Sequence, residues 1–165
     1  YGLDFSELPA LIGAFAYGPV AGVMIEFCKI LIKLVLKPSS TAFVGELANF
    51  SISCMLALPA SVIYLFKKSR KQAILGTVVG TLIMTAFGSC FNAIYLLPKF
   101  SELYGIPLDA IIGMGTAINP AIHSISGLVL MCVVPLNLLK GGLVSLITIL
   151  VYKKLSPILK AAHKQ

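Results

Sequence analysis

Asn137-Leu138-Leu139-Lys140-Gly141-Gly142 leads into Leu143–Tyr152, a run without a single charge, and then into Lys153-Lys154. The apolar run reads as a membrane helix closed at its far end by two lysines. At its near end, an amide and an ammonium stand three residues apart. Residues i and i+3 share a helix face, so Asn137 and Lys140 are expected to point the same way from the top of that helix. A polar pair in that position suggests a polar ligand. The rest of the chain is read for other polar residues arriving at the same level.

The whole sequence supports the membrane reading. Of 165 residues, 58% are hydrophobic and 12% charged, and the mean hydropathy is +0.98. A soluble domain carries about 25% charged residues. The apolar runs are long and continuous rather than alternating over roughly ten residues, which favours helices over a membrane β-barrel. The fold class expected is all-α, a polytopic membrane helical bundle forming a single domain over 1–165. The net charge of +7 comes largely from Lys67, Lys68, Arg70 and Lys71 and from Lys153, Lys154, Lys160 and Lys164. Both clusters close apolar runs, where basic residues fix the cytoplasmic side, so the charge is not a nucleic-acid signal. Cys28, Cys54, Cys90 and Cys132 lie singly in apolar segments and read as small buried hydrophobes. His123 and His163 form no metal motif.

Glu7 to Tyr17 is a short apolar helix behind Ser6, with acidic Glu7 in its first turn. At about 16 Å it is too short to cross a hydrocarbon core of about 30 Å. Gly18-Pro19 turns the chain, and Val20 to Leu36 returns as a helix with a polar stripe of Glu26, Lys29, Lys33 and Lys37. Pro38-Ser39-Ser40-Thr41 breaks the chain before Gly45 to Phe66, whose first turns carry Glu46 and Asn49 on one face. Gln72 to Leu97 is the longest clean span; Gly76 and Gly80 give it a face for close helix packing, and Pro98 is expected to end it or shortly to precede its end. Asn92 lies about 31 Å along the axis from Lys71. The stretch 99–134, broken by Gly105, Pro107, Gly113, Gly115, Asn119, Pro120, Gly127 and Pro135, reads as an outer loop containing a partial helix, because both basic clusters must share one side.

Threading these segments puts Asp4, Phe5, Thr41, Glu46, Asn49, Asn92, Asn137 and Lys140 at one level near the outer surface. With Phe5, Phe43, Phe91 and Tyr95 as walls they would form an apolar pocket with a few polar anchors. There is no Walker loop, HExxH, GxSxG or paired carboxylate, so no catalytic site is expected and the chain is read as a non-enzyme. The other halves of the helices are apolar, so no continuous pore is expected either. A polar pocket on one side of a sealed bundle suits a capture protein.

Asp4-Phe5-Ser6-Glu7-Leu8-Pro9-Ala10-Leu11-Ile12-Gly13, Tyr17-Gly18-Pro19-Val20-Ala21-Gly22, Gly45-Glu46-Leu47-Ala48-Asn49-Phe50 and Pro135-Leu136-Asn137-Leu138-Leu139-Lys140-Gly141 together resemble the riboflavin-binding (RibU-type) S components of energy-coupling factor (ECF) vitamin transporters. The similarity runs from the first residue to about Pro157. The resemblance implies six membrane helices, the first of which has no counterpart in this sequence, with the C-terminus cytoplasmic in a bacterial plasma membrane. It implies capture of riboflavin at the outer side as transported ligand rather than cofactor. Delivery would use a transmembrane coupling subunit and two ATP-hydrolysing subunits. It assigns Asn92, Asn137 and Lys140 to the isoalloxazine ring, and a loop around Asp4 and Phe5 to closing the site. The ribityl hydroxyls would find Thr41 and Asn49, with Glu46 in support. Alternatives are an S component for another vitamin such as thiamine, and a small membrane-embedded enzyme or assembly factor. Lys140 argues against cationic thiamine, and the absence of an intramembrane acid–base cluster argues against an enzyme.

Overall fold

A computed structural model describes residues 5–161, apart from the side chains of 158–160. Six helices account for the described residues. They are α1 (Glu7–Tyr17), α2 (Pro19–Leu36), α3 (Val44–Phe66), α4 (Arg70–Tyr104), α5 (Leu108–Ile118) and α6, which runs from Ile125–Leu128 through a π-helical turn at Val129–Val133 into Val134–Ala161. Three of them (α3, α4 and α6) are long and apolar enough to cross a membrane. With no water to satisfy backbone groups in the hydrocarbon region, a helical bundle is what such a sequence can build.

The joints follow from local chemistry. Gly18 at φ 98° lets the chain reverse between α1 and α2, its N–H donating to Ala14 O, and Pro19 takes the first helical position. Ser69 caps α4 by accepting from the Gln72 N–H. The α3–α4 pair approaches most closely where side chains vanish: a Cβ on Gly76 or Gly80 would lie 2.6 Å from the carbonyl oxygen of Ala60 or Leu56. Hydroxyls along α4 turn back on their own helix. Thr81, Thr85 and Ser89 donate to the carbonyls of Thr77, Thr81 and Thr85, which keeps them satisfied in an apolar setting. Toward the Lys67–Lys71 end, Phe15, Tyr64 and Tyr152 pack together in the core, and the two tyrosine hydroxyls pair at 3.1 Å.

One expectation changes. Pro98 shortly precedes the end of α4, as one of its two readings has it, but the stretch 99–134 is not mainly loop: α4 continues to Tyr104, α5 occupies Leu108–Ile118, and α6 has already begun at Ile125. The reason is the same in both helices. A π-helical turn, Asn92–Leu96 in α4 and Val129–Val133 in α6, ends two residues before a proline, Pro98 or Pro135. The widened turn carries an i→i+5 bond, from Leu97 N–H to Asn92 O and from Val134 N–H to Val129 O. It gives the proline ring room that an α-turn denies it. Asn137 and Lys140 therefore lie inside α6, three to four turns from its start, rather than at the top of a helix.

Candidate functional site

One cavity of about 490 Å³ opens between the ends of α2, α3, α4 and α6 remote from the basic clusters. Its lining repeats at helical spacing on each element. Helix α3 supplies Gly45, Ala48, Asn49 and Ile52; α4 supplies Asn92, Leu96 and Phe100; α6 supplies Val133, Leu136, Asn137 and Lys140. On α3 and α6 these are i, i+3, i+4 and i+7 positions and on α4 i, i+4 and i+8, one face of each helix. Lys33 from α2, Lys37, Pro38, Ser40 and Thr41 from the connection that follows it, and Glu46 from α3 complete it. The volume lies within the ~300–1,000 Å³ range of small-molecule sites.

Six of the eight expected site residues line this cavity: Thr41, Glu46, Asn49, Asn92, Asn137 and Lys140. Phe5 does not; it is exposed ahead of α1, its carbonyl accepting the Leu8 N–H at 3.0 Å. Asp4 lies outside the described residues. The expected aromatic walls also differ. Phe43 is 63% exposed, and Phe87, Phe91 and Tyr95 stack on one another along a different face of α4. Among the described residues the aromatic lining is Phe100, which follows Asn92 at i+8. Adjacent residues on a helix point about 100° apart, so Phe91 cannot share the face that Asn92 occupies.

The polar lining divides by what each group already holds. Asn92 is 1% exposed and its Nδ2 donates to Gly88 O at 2.7 Å. Asn137 is 6% exposed, and its buried Nδ2 has no hydrogen-bond partner among the described residues. The amide has space because position 88 is glycine: a Cβ there would stand 2.8 Å from that nitrogen. Lys140, 8% exposed, places Nζ 2.6 Å from Glu7 Oε1. An ammonium has three protons to give. Glu46 Oε2 accepts from the hydroxyls of Ser39 at 2.8 Å and Thr41 at 3.0 Å, and Thr41 Oγ1 also accepts from the Gly45 N–H. Glu46 and Thr41 therefore hold the loop into α3 in shape. That loop needs holding, because Ala42 and Phe43 sit at φ 47° and 67°, a region costly for residues with a Cβ.

Sequence reasoning missed Glu7, Ser53, Gly88 and Phe100. Glu7 was legible as a first-turn acid. The signal that a partner was waiting is the cost of an unpaired carboxylate in an apolar segment, against an otherwise unmatched Lys140. No group of three or more His, Cys, Asp or Glu side chains suited to a metal occurs among the described residues.

An apolar bundle, sealed by packed aromatics at one end and opening at the other on amides and an ammonium, defines a membrane-embedded solute-binding protein. The chain belongs to the ECF transporter, substrate-specific component family, whose model matches residues 1–152; members of that family are transporter components, not enzymes. It is 33% identical over 158 residues to the riboflavin transporter RibU of Staphylococcus aureus (strain TCH60), covering 96% of this chain and 76% of that one. It is 30% identical to the riboflavin transporter FmnP of Bacillus subtilis (strain 168), over 94% and 76% of the two chains. Among solved structures, the S component of a bacterial ECF transporter matches with a TM-score of 0.69 and 35% identity, over 96% of this chain and 79% of that one.

Proposed function

We propose that this multi-pass membrane protein captures riboflavin from the outer side of a bacterial plasma membrane. A transmembrane coupling subunit and two ATPase subunits would then drive its uptake. The observation that carries the reading is the buried Asn137 amide, whose Nδ2 has no partner among the described residues, lining a cavity beside Lys140. Riboflavin's uracil-like edge offers carbonyl acceptors and one N–H; an amide supplies a donor and an acceptor, and an ammonium supplies further donors. Leu96, Phe100, Val133 and Leu136 give the ring faces apolar contact. Asn49 and Ser40 stand nearer the loop, suited to the ribityl hydroxyls. The names of the relatives at 33% and 30% identity point to the same ligand.

Orientation follows from charge. Lys67, Lys68, Arg70 and Lys71 at the α3–α4 joint, and Lys153 and Lys154 in α6, lie at the end remote from the cavity. Basic clusters favour the cytoplasm, so the cavity faces outward, the C-terminus lies inside, and 99–134, with the end of α4, α5 and the start of α6, lies on the outer side. Riboflavin is cargo here, not a cofactor. Protein purified in mild detergent from riboflavin-supplied cells is expected to be yellow, with a flavin absorption spectrum. Colourless protein that also fails to quench added riboflavin fluorescence refutes the proposal.

A further inference from the structure

Lys140 does not present a bare charge to the cavity. Its Nζ stands 2.6 Å from Glu7 Oε1, and the Ser53 hydroxyl donates to that same oxygen at 2.6 Å. The three residues come from α1, α3 and α6, and all are buried, Glu7 at 2% exposure. Among the described residues Glu7 Oε2 is buried with no hydrogen-bond partner, and the contacts of the carboxylate there are Lys140 and Ser53. A second buried acid, Glu26, is paired with Lys29 at 2.6 Å. Among the described residues of this cluster two carboxylates thus meet two ammoniums; the other charged residues of the cavity lining, Lys33, Lys37 and Glu46, stand at its loop end.

The chemical consequence concerns which ligands fit. An unpaired ammonium at the wall of a partly desolvated cavity stabilises a negative charge on whatever it touches. An ammonium cancelled by a carboxylate behind it still offers N–H donors, but little net field. We propose that Glu7 sets the charge preference of the pocket: by holding and neutralising the Lys140 ammonium, it makes the site select a neutral ring over the corresponding anion. Glu7 acts through Lys140, as a positioning residue. The inference rests on the riboflavin reading above.

The probes are riboflavin, neutral at pH 7, and its 8-hydroxy analogue, whose ring is an anion at pH 7 with charge spread onto the pyrimidine oxygens. Both are titrated into detergent-purified full chain freed of endogenous flavin. Wild-type protein is expected to bind riboflavin the more tightly. Glu7→Gln, which leaves Lys140 charged and uncancelled, is expected to move the affinity ratio toward the anion by about tenfold or more, as a unit charge a few ångströms away requires at such a site. A purely structural role for Glu7 lowers both affinities together and leaves the ratio unchanged, which overturns the inference. The double variant Glu7→Gln/Lys140→Met buries no unpaired charge and serves if the single variant does not fold. Losing the ammonium's N–H donors weakens binding of both rings, but with no unpaired positive charge created its ratio is expected not to move toward the anion, and a tenfold shift toward the anion overturns the inference. So does wild-type protein that already prefers the anion. Wild-type protein that binds neither ring defeats the riboflavin reading itself, a result distinct from a wrong ratio.

Discussion

Replacing Gly88 by alanine sets helix stability and ligand binding against each other. A Cβ at position 88 would lie 2.8 Å from Asn137 Nδ2 and 3.6 Å from the Ile52 Cδ1 and Cγ1 atoms. The atom that must move is the tip of a side chain, so α4 accepts the methyl group without shifting. Glycine in a helix interior costs about 1 kcal/mol relative to alanine, and the variant gains up to that amount in stability. The amide, however, leaves the position from which it faces the cavity. If it holds the ligand with one donated and one accepted bond, each worth about 0.5–1.5 kcal/mol, the loss is about 1–3 kcal/mol. That is about 5- to 150-fold in Kd. The assay is riboflavin fluorescence quenching on purified protein, with thermal unfolding of the same ligand-free sample. Wild-type affinity within twofold refutes the assignment of Asn137. Affinity lost together with stability refutes the claim that only the amide moves.

The other expectations concern the bundle. Gly80→Ala puts a Cβ 2.6 Å from the Leu56 carbonyl oxygen, backbone that cannot step aside, so overpacking of about 1–3 kcal/mol outweighs the propensity gain. Gly142→Ala, where nothing lies within 4 Å, is the control and raises stability by up to about 1 kcal/mol; equal effects of the two in thermal unfolding would rule out the close α3–α4 approach. Tyr64→Phe and Tyr152→Phe each orphan the partner's buried hydroxyl and are expected to cost about 1–3 kcal/mol. The double variant should cost clearly less than the sum, and strict additivity in a double-mutant cycle shows the hydroxyls uncoupled.

The bundle and the outline of the cavity were legible because both are written in spacing. Asn137 with Lys140, Glu46 with Asn49, and Gly76 with Gly80 each sit three or four residues apart, and helix geometry alone puts each pair on one face. Tertiary partners were not legible. Nothing local joins Glu7 to Lys140 across 133 positions of sequence. Aromatic residues beside Asn92 in sequence suggested walls that the helix turns away. Pro98 and Pro135 read as helix ends because proline does break an α-turn. The compensating π-turns leave no sequence mark beyond the prolines themselves.

Those two turns also explain why the cavity lies where it does. Toward the basic clusters the helices meet through small residues: Gly76 and Gly80 against α3, and Gly141, whose Cβ would stand 2.5 Å from Thr81 Cγ2. Backbones approach closely there and leave no space. Toward the other end the same helices α4 and α6 carry a π-turn each, and both contribute to the lining: Asn92 opens one and Leu96 ends it, while Val133 closes the other. A wider turn displaces the following segment and holds the helices apart without interrupting them. An open space in an apolar bundle forfeits packing contacts, so it persists where its walls are polar enough to hold water or a ligand. Asn92, Asn137, Lys140 and Asn49 provide that polarity at the level where the spreading begins. Taper and polar lining thus depend on each other: Asn92 lies within one π-turn, and Asn137 follows the other by a single turn of α6.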